Sequence, residues 1–441
     1  MFKSETWLKL ERYLFYVFVF SIPFQTRVFL SEWGESKDEF YSSFFYFTDA
    51  LVLALLFSWV LRVFFLRFEG GPRSFIKKIF SNTRNKILFL FWVFIFISIF
   101  QHKFYSFGLY HSIKFIEFGL LFLYLDSNIK MLGLRRTLAI FVFAGVSQSF
   151  LAIFQFFSQG SLGLKYFGET LLSPTLDGVA KVDTPYGKMM RPYGTFTHPN
   201  VLAAFLLLSL SFFYYLVLSN ARKLDFKNIY IFLVLLFGLF FTFSRSAWIV
   251  FALFSFVLFV KLSKNKNVKK MFFSSVLVFS LLSLIFSSLF LSRVNVSSSD
   301  PGLNFRHIYE NVAFEFLHKD AVFGVGAGNF VNKFKESGLF GGDVWAYQPV
   351  HNFYLLMASE IGLFGFVVFL LFLIFVLASI RSSLEDNIFK ISFLGIAFSI
   401  FLLFLTDHYF WDLQQGALML WFFLGLAAGA SERPVDSVKI L

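Results

Sequence analysis

The chain contains no cysteine. That absence excludes disulfides, Cys-ligated zinc, iron–sulfur centres and thiol nucleophiles. Charge is scarce too: Asp, Glu, Lys and Arg make up 15% of the 441 residues, where a soluble domain carries about 25%. No internal repeat emerges, and no linker is long enough to separate domains. Residues 1–441 therefore read as a single integral membrane domain. What fills the chain is apolar: 57% of it is hydrophobic, and Phe alone supplies 73 residues. The Phe enrichment falls where Leu is more usual, so it is a compositional bias and not a cofactor signal.

Apolar segments lie near 13–30, 44–66, 87–101, 104–125, 137–157, 199–218, 229–243, 246–260, 271–291, 352–379, 388–406 and 412–430. Their lengths suit helices crossing a hydrocarbon core about 30 Å thick. The fold expected is all-α and polytopic, with about 12 transmembrane helices. Two polar stretches interrupt the series, a first extracytoplasmic loop at 158–198 and a long one at 292–350. The N-terminus resembles a signal peptide, but no small-residue cleavage site follows Val28–Leu30, which predicts a retained first helix.

Lys and Arg set the orientation. With the N-terminus inside, 25 of the 39 basic residues fall at the N-terminus, in alternate short connections and at the C-terminus. The +12 net charge then reflects membrane topology, and no nucleic-acid partner is expected. Both termini are expected in the cytoplasm, with the protein in the inner (cytoplasmic) membrane. From Ile229 to Val260 the chain is apolar apart from Ser244, Arg245 and Ser246. One helix of that length would span about 48 Å and would put basic clusters on opposite sides, so the chain must cross twice. Arg245 then sits at a tight external turn. The same parity brings Arg191, Arg306 and His351 to that face, although they are far apart in sequence.

Each candidate has a plain reading beside a functional one. The run Arg191-Pro192-Tyr193-Gly194-Thr195-Phe196-Thr197-His198-Pro199-Asn200 feeds a helix N-terminus, where backbone N–H groups and a nearby arginine suit an anion. By residue type alone the plainer reading comes first, with Arg191 a headgroup anchor and Asn200 a simple cap. Arg245 at membrane depth costs about 2.5–3.5 kcal/mol, which a phosphate, a distant carboxylate or headgroup water must offset. An amphipathic helix is predicted after Asp300-Pro301, with Phe305, Ile308, Tyr309, Val312, Ala313, Phe316 and Leu317 on one stripe. Arg306 lies off that stripe and either faces the site or pairs with Glu310. Gly324-Val325-Gly326-Ala327-Gly328-Asn329-Phe330 reads as a sharp turn, not a nucleotide fingerprint. His351, at an external helix start, suits proton abstraction from a hydroxyl or an ordinary interface position. His102, His111 and His408 fall at short turns or helix ends. Asp300, Asp343, Asp407 and Asp412 show no metal-ligand spacing, so a metal-independent mechanism without cofactor is expected.

Taken together in order, RPYGTFTHPN before a helix, TFSRSAW at a hairpin, Arg306 before GVGAGNF, and HNFYLLMASEIGLFG closing the long loop resemble the O-antigen ligase/polymerase superfamily over roughly residues 140–430. The resemblance implies a type-C glycosyltransferase architecture. It also implies transfer of a glycan from an undecaprenyl-diphosphate-linked donor to a lipid- or glycan-hydroxyl acceptor on the extracytoplasmic face. By matched motif, Arg191 and Arg245 resemble the arginines that hold the donor diphosphate, and His351 the acceptor-activating base. Arg306 would assist, while Tyr193, His198 and Asn200 look like supporting residues. The superfamily also includes protein O-oligosaccharyltransferases, and the motifs do not separate these acceptors. A transporter of a small anionic or polar solute is the rival from another class. Against it, few charges lie within the spans, no paired broken helices are apparent, and the polar candidates gather at one face. A non-catalytic scaffold would tolerate alanine at all four candidate positions.

Overall fold

The computed structural model describes residues 2–32, 39–64, 71–101, 103, 105–184, 187–219, 224–295, 301–343 and 346–431. In chain order the helices are α1 Phe2–Ser21, α2 Phe47–Phe64, α3 Gly71–Ser81, α4 Thr83–Ser98, α5 Tyr105–Leu132, α6 Leu134–Ser158, α7 Pro199–Leu218, α8 Phe226–Phe241 and α9 Arg245–Lys261. They continue with α10 Lys266–Ile285, α11 Ser287–Val294, α12 Pro301–Lys319, α13 Phe330–Glu336, α14 Phe353–Ser382, α15 Asn387–Phe404, α16 Tyr409–Asp412 and α17 Gln414–Ser431. Eight of the described helices are long and apolar enough to cross a membrane. Two short antiparallel hairpins sit in the connections, β1 Arg27–Glu32 with β2 Ser42–Tyr46, and β3 Lys181–Thr184 with β4 Gly187–Met190.

Several boundaries differ from the hydropathy pattern for identifiable reasons. The first segment, expected over 13–30, stops at Ser21 because Pro23 disfavours helix in the residue before it, and the chain turns into β1. Helix α5 runs past residue 125 to Leu132, because Asp126 and Asn128 find buried partners in Arg84 and Arg62. The segment near 271–291 divides at Phe286 into α10 and α11. The long apolar stretch from Ile229 is two helices, α8 and α9, joined through Phe243 in a left-handed conformation (φ 49°). Trp248 staples this turn by donating its indole N–H to the Leu239 carbonyl at 3.1 Å.

Helices α7 and α17 form the centre, and every residue of α17 is buried. Such all-round burial needs close backbone approach. A side chain at Gly429 would meet the Leu125 carbonyl oxygen at 2.7 Å, and one at Gly425 the Leu125 Cβ at 2.8 Å. The Gly-x-x-x-Gly spacing thus lets α17 lie directly against α5, as small residues do between membrane helices.

Helix α14 is interrupted at Gly362 (φ 72°, ψ 171°). The freed backbone groups are satisfied by the preceding loop: Val325 and Gly326 donate to the Ser359 and Glu360 carbonyls at 2.8 Å, and Leu363 donates to Ala321 at 2.8 Å. The Glu360 carboxylate accepts from the Gly328 N–H (2.7 Å), the Phe330 N–H (3.2 Å) and the Trp411 indole (2.7 Å). The Gly324–Phe330 segment is therefore a plug that repairs a broken helix, which is how irregular backbone survives at membrane depth. The argument used above against a carrier concerned paired broken helices; α14 carries a single interruption at Gly362, and the other divided segment breaks at Phe286 between α10 and α11.

Candidate functional site

One end of the bundle gathers the starts of α7, α9 and α14 and the end of α15. The Arg191–Asn200 run is held there by two glutamines of α6. Gln155 Oε1 accepts from the Tyr193 and Gly194 N–H groups (3.0 and 2.8 Å), and Gln148 Oε1 accepts from Thr195 (3.0 Å). The Tyr193 hydroxyl accepts from the Ala180 N–H at 2.8 Å, so this residue braces the loop onto the β3–β4 hairpin. His198 caps α7, its Nδ1 accepting from the Asn200 N–H at 3.2 Å.

Four side chains then form a continuous line. Arg191 donates to the Thr242 carbonyl and to Asn200 Oδ1, both at 2.8 Å. Asn200 Nδ2 donates to Asp407 Oδ2 at 2.8 Å. The other oxygen of Asp407 faces His351 Nδ1 at 3.3 Å and accepts from the His408 N–H at 2.9 Å. His408 is held in turn by Asp412, Nδ1 to carboxylate oxygen at 2.8 Å. Arg245 begins α9 and donates to the Arg293 carbonyl at 3.3 Å, while Arg293 donates to the Phe243 carbonyl at 3.2 Å. Arg306 on α12 is close enough to act electrostatically on His351 and His408.

The charges follow from this layout. Burial and the Arg293 guanidinium press Arg191 down to about 9, a state that a bound anion would relieve. Burial alone would raise the Asp407 carboxyl. The hydrogen bond from His351 and the charges of His351, His408 and His198 outweigh it, holding Asp407 far below the usual carboxylate range. Burial lowers His351, and His408 and Arg306 add to that against the pull of Asp407. Burial, then Arg191, brings His198 down to about 3. Burial opposes protonation of His408, but Asp412 and Asp407 together raise it. Because the ionised Asp407 can only accept, the neutral His351 ring carries its proton on Nδ1 and its lone pair on Nε2. His351 and Asp407, with Thr197, His198, Gln348 and His408, border a cavity of about 200 Å³.

The geometry brings together Arg191, His198, Asn200 and His351, places Arg245 and Arg306 around them, and gives Tyr193 a bracing position outside the cavity lining. Sequence reasoning passed over Asp407, His408, Asp412 and Arg293. The available signal was Asp407-His408 followed by Asp412 four residues after the histidine, just beyond an apolar segment whose end lies on the same face. Treated as scattered in sequence, Asp407 and Asp412 converge on two imidazoles. His351, Asp407 and His408 place donor atoms within 4.8 Å of one another, a set able to hold a cation. Of the other histidines set aside, His111 is half-buried in α5 and His102 lies outside the described residues.

Residues 230–370 match the family model described as O-antigen ligase. The matched stretch runs from α8 into α14 and contains Arg245, Arg306 and His351. No curated protein matches the chain. Over that stretch, less than half of its length, the chain is similar to the O-antigen ligase family, and its long apolar helices are those of a multi-pass membrane protein.

Proposed function

We propose that the protein moves a glycan from an undecaprenyl-diphosphate-linked donor to an acceptor hydroxyl of a lipid or a second glycan, as an O-antigen ligase or polysaccharide polymerase. The observation that carries this reading is the hydrogen-bonded line Arg191–Asn200–Asp407–His351, which couples an anion-seeking arginine to an oriented imidazole that, with Asp407, borders a cavity. Arg191 and Arg245 would hold the diphosphate, and Arg306 would close the site from α12. The distribution of Lys and Arg supports a cytoplasmic N-terminus in the inner membrane, with the site on the extracytoplasmic side.

In the reaction, His351 Nε2 takes the proton of the acceptor hydroxyl as its oxygen attacks the anomeric carbon. The bond from that carbon to the diphosphate oxygen breaks, with inversion. Its electron pair stays on the diphosphate, where pre-placed guanidinium groups stabilise the growing charge more than the ground state. Asp407 stabilises the imidazolium, which then passes its proton to the departing diphosphate or to solvent. No metal is required in this sequence of steps. Asn200, His198 and Tyr193 keep the partners in register.

Purified protein supplied with a lipid-diphosphate glycan and an acceptor should yield transferred glycan. His351→Ala should lower that rate by about 10²–10⁴-fold, the range for losing a general base, with the melting profile and donor binding retained. Near-normal turnover in His351→Ala would remove the base assignment. Solute uptake into proteoliposomes that depended on Arg245 and His351, without transfer, would replace the enzyme reading by a carrier.

A further inference from the structure

We propose that His351, Asp407 and His408 form a binding site for a transition-metal ion of the zinc class, and that occupancy silences the imidazole base. The binding half stands on geometry alone, and the silencing half rests on the function proposed above.

The donor atoms converge on one point at the cavity edge. His351 Nδ1 and His408 Nε2 lie 3.3 and 3.8 Å from the same Asp407 oxygen. A tetrahedral ion with bonds of about 2.0–2.1 Å sets its ligand atoms roughly 3.3–3.4 Å apart, so the two distances to Asp407 are near that value, and the three donor atoms, all within 4.8 Å of one another, close on an ion by side-chain rotation. Two imidazoles with one carboxylate favour zinc-class ions over magnesium, which prefers an all-oxygen octahedron.

The second layer has the form that metal sites use. Asp412 holds His408 Nδ1 at 2.8 Å, which aims the Nε2 lone pair toward Asp407. Asn200 holds the second oxygen of Asp407 at 2.8 Å, leaving the first for the ion. Outer carboxylates and amides of this kind orient metal-bound ligands and raise their basicity. The adjoining cavity of about 200 Å³ leaves room for a water in the fourth position. Arg191 and Arg306 oppose a cation here, while Asp412 behind His408 opposes the arginines; Glu39 on the cavity wall is already paired with Arg27.

The consequence for the base is a matter of tautomers. With a metal on Nδ1, the neutral ring of His351 must carry its proton on Nε2. It then has no lone pair to receive the proton of an acceptor hydroxyl. The diphosphate-holding arginines keep their positions, so donor binding persists while transfer stops.

The test uses the full-length protein, with any purification tag removed, stripped with chelator and titrated with ZnCl₂ or MgCl₂. Bound metal is counted by elemental analysis after desalting, and glycan transfer is followed in parallel. The expected result is one zinc per chain, no magnesium retained, and loss of transfer at the same half-saturating zinc concentration as binding. Asp412→Asn should weaken zinc 10–100-fold, the usual loss for an outer carboxylate, with an unchanged melting profile. His408→Ala should abolish zinc binding; if it fails to fold, the Asp412→Asn shift decides. No zinc retained by the wild type, or unchanged affinity in Asp412→Asn, overturns the site and leaves the base assignment standing. Zinc bound at this site without loss of transfer overturns the silencing and removes His351 as the base.

Discussion

The two ends of the helical bundle both hold arginines, buried at one end and buried (Arg191) or half-buried (Arg245) at the other, and they treat the charge in opposite ways. At the end where α2 and α5 finish, Arg62 meets Glu11 at 3.1 Å, with Tyr124 and Ser58 donating to the same carboxylate. Nearby, Arg84 pairs with Asp126 and bonds Ser379 close to the far end of α14. At the other end, where α14 begins, Arg191 and Arg245 make their described bonds to carbonyl and amide oxygens. A buried guanidinium met by a carboxylate is neutralised by the fold itself. One met only by neutral dipoles keeps its charge for something that arrives, and desolvation makes that attraction stronger than in water.

This contrast can be broken by mutation, and the largest effect is expected at the neutralised end. Arg62→Ala leaves Glu11 buried and uncompensated, which costs about 3–5 kcal/mol for a broken buried pair. The melting temperature of the detergent-solubilised protein should fall sharply, while turnover per folded molecule stays unchanged. A turnover defect without loss of stability would mean that this end also serves the reaction. Gly362→Ala comes next. Its Cβ would meet the Val322 carbonyl oxygen at 2.1 Å at a backbone angle that side chains rarely adopt, so a loss of about 1–3 kcal/mol is expected. Here melting temperature and transfer rate should drop together, because the break in α14 positions His351. The smallest effect tests the charge-keeping end itself. Arg245→Lys retains the charge but not the planar fork that would grip a diphosphate under the proposed function, and transfer should fall by about tenfold with no change in melting. Equal activity for Lys would reduce Arg245 to an anchor at the membrane surface.

What the sequence made legible was the part governed by one-dimensional rules. Hydropathy located the apolar segments, and the charge clusters flanking Ile229–Val260 required the break that the structure places between Phe241 and Arg245. Parity alone put Arg191, Arg245, Arg306 and His351 on one face. The partners of those residues were not legible, because hydrogen bonding between positions as distant as Asn200 and Asp407 leaves no periodic trace. The hairpins were missed for a related reason: in β1 and β2 apolar side chains continue the run that reads as helix, and only Pro23 marks the change. The role of Gly324–Phe330 was half visible. Its glycines announced a turn, but nothing local announced that the turn repairs a helix thirty-odd residues later.

The complete enclosure of α17 has a consequence for how the protein is made. This segment leaves the ribosome after every other described helix, yet it belongs beside α5 at the heart of the assembly. The earlier helices can therefore reach their final packing only after α17 has been made. Asp412 and His408 sit at its threshold. The candidate site is thus complete only once the chain through α16 has been made, and a chain cut before Asp407 would leave His351 without this partner.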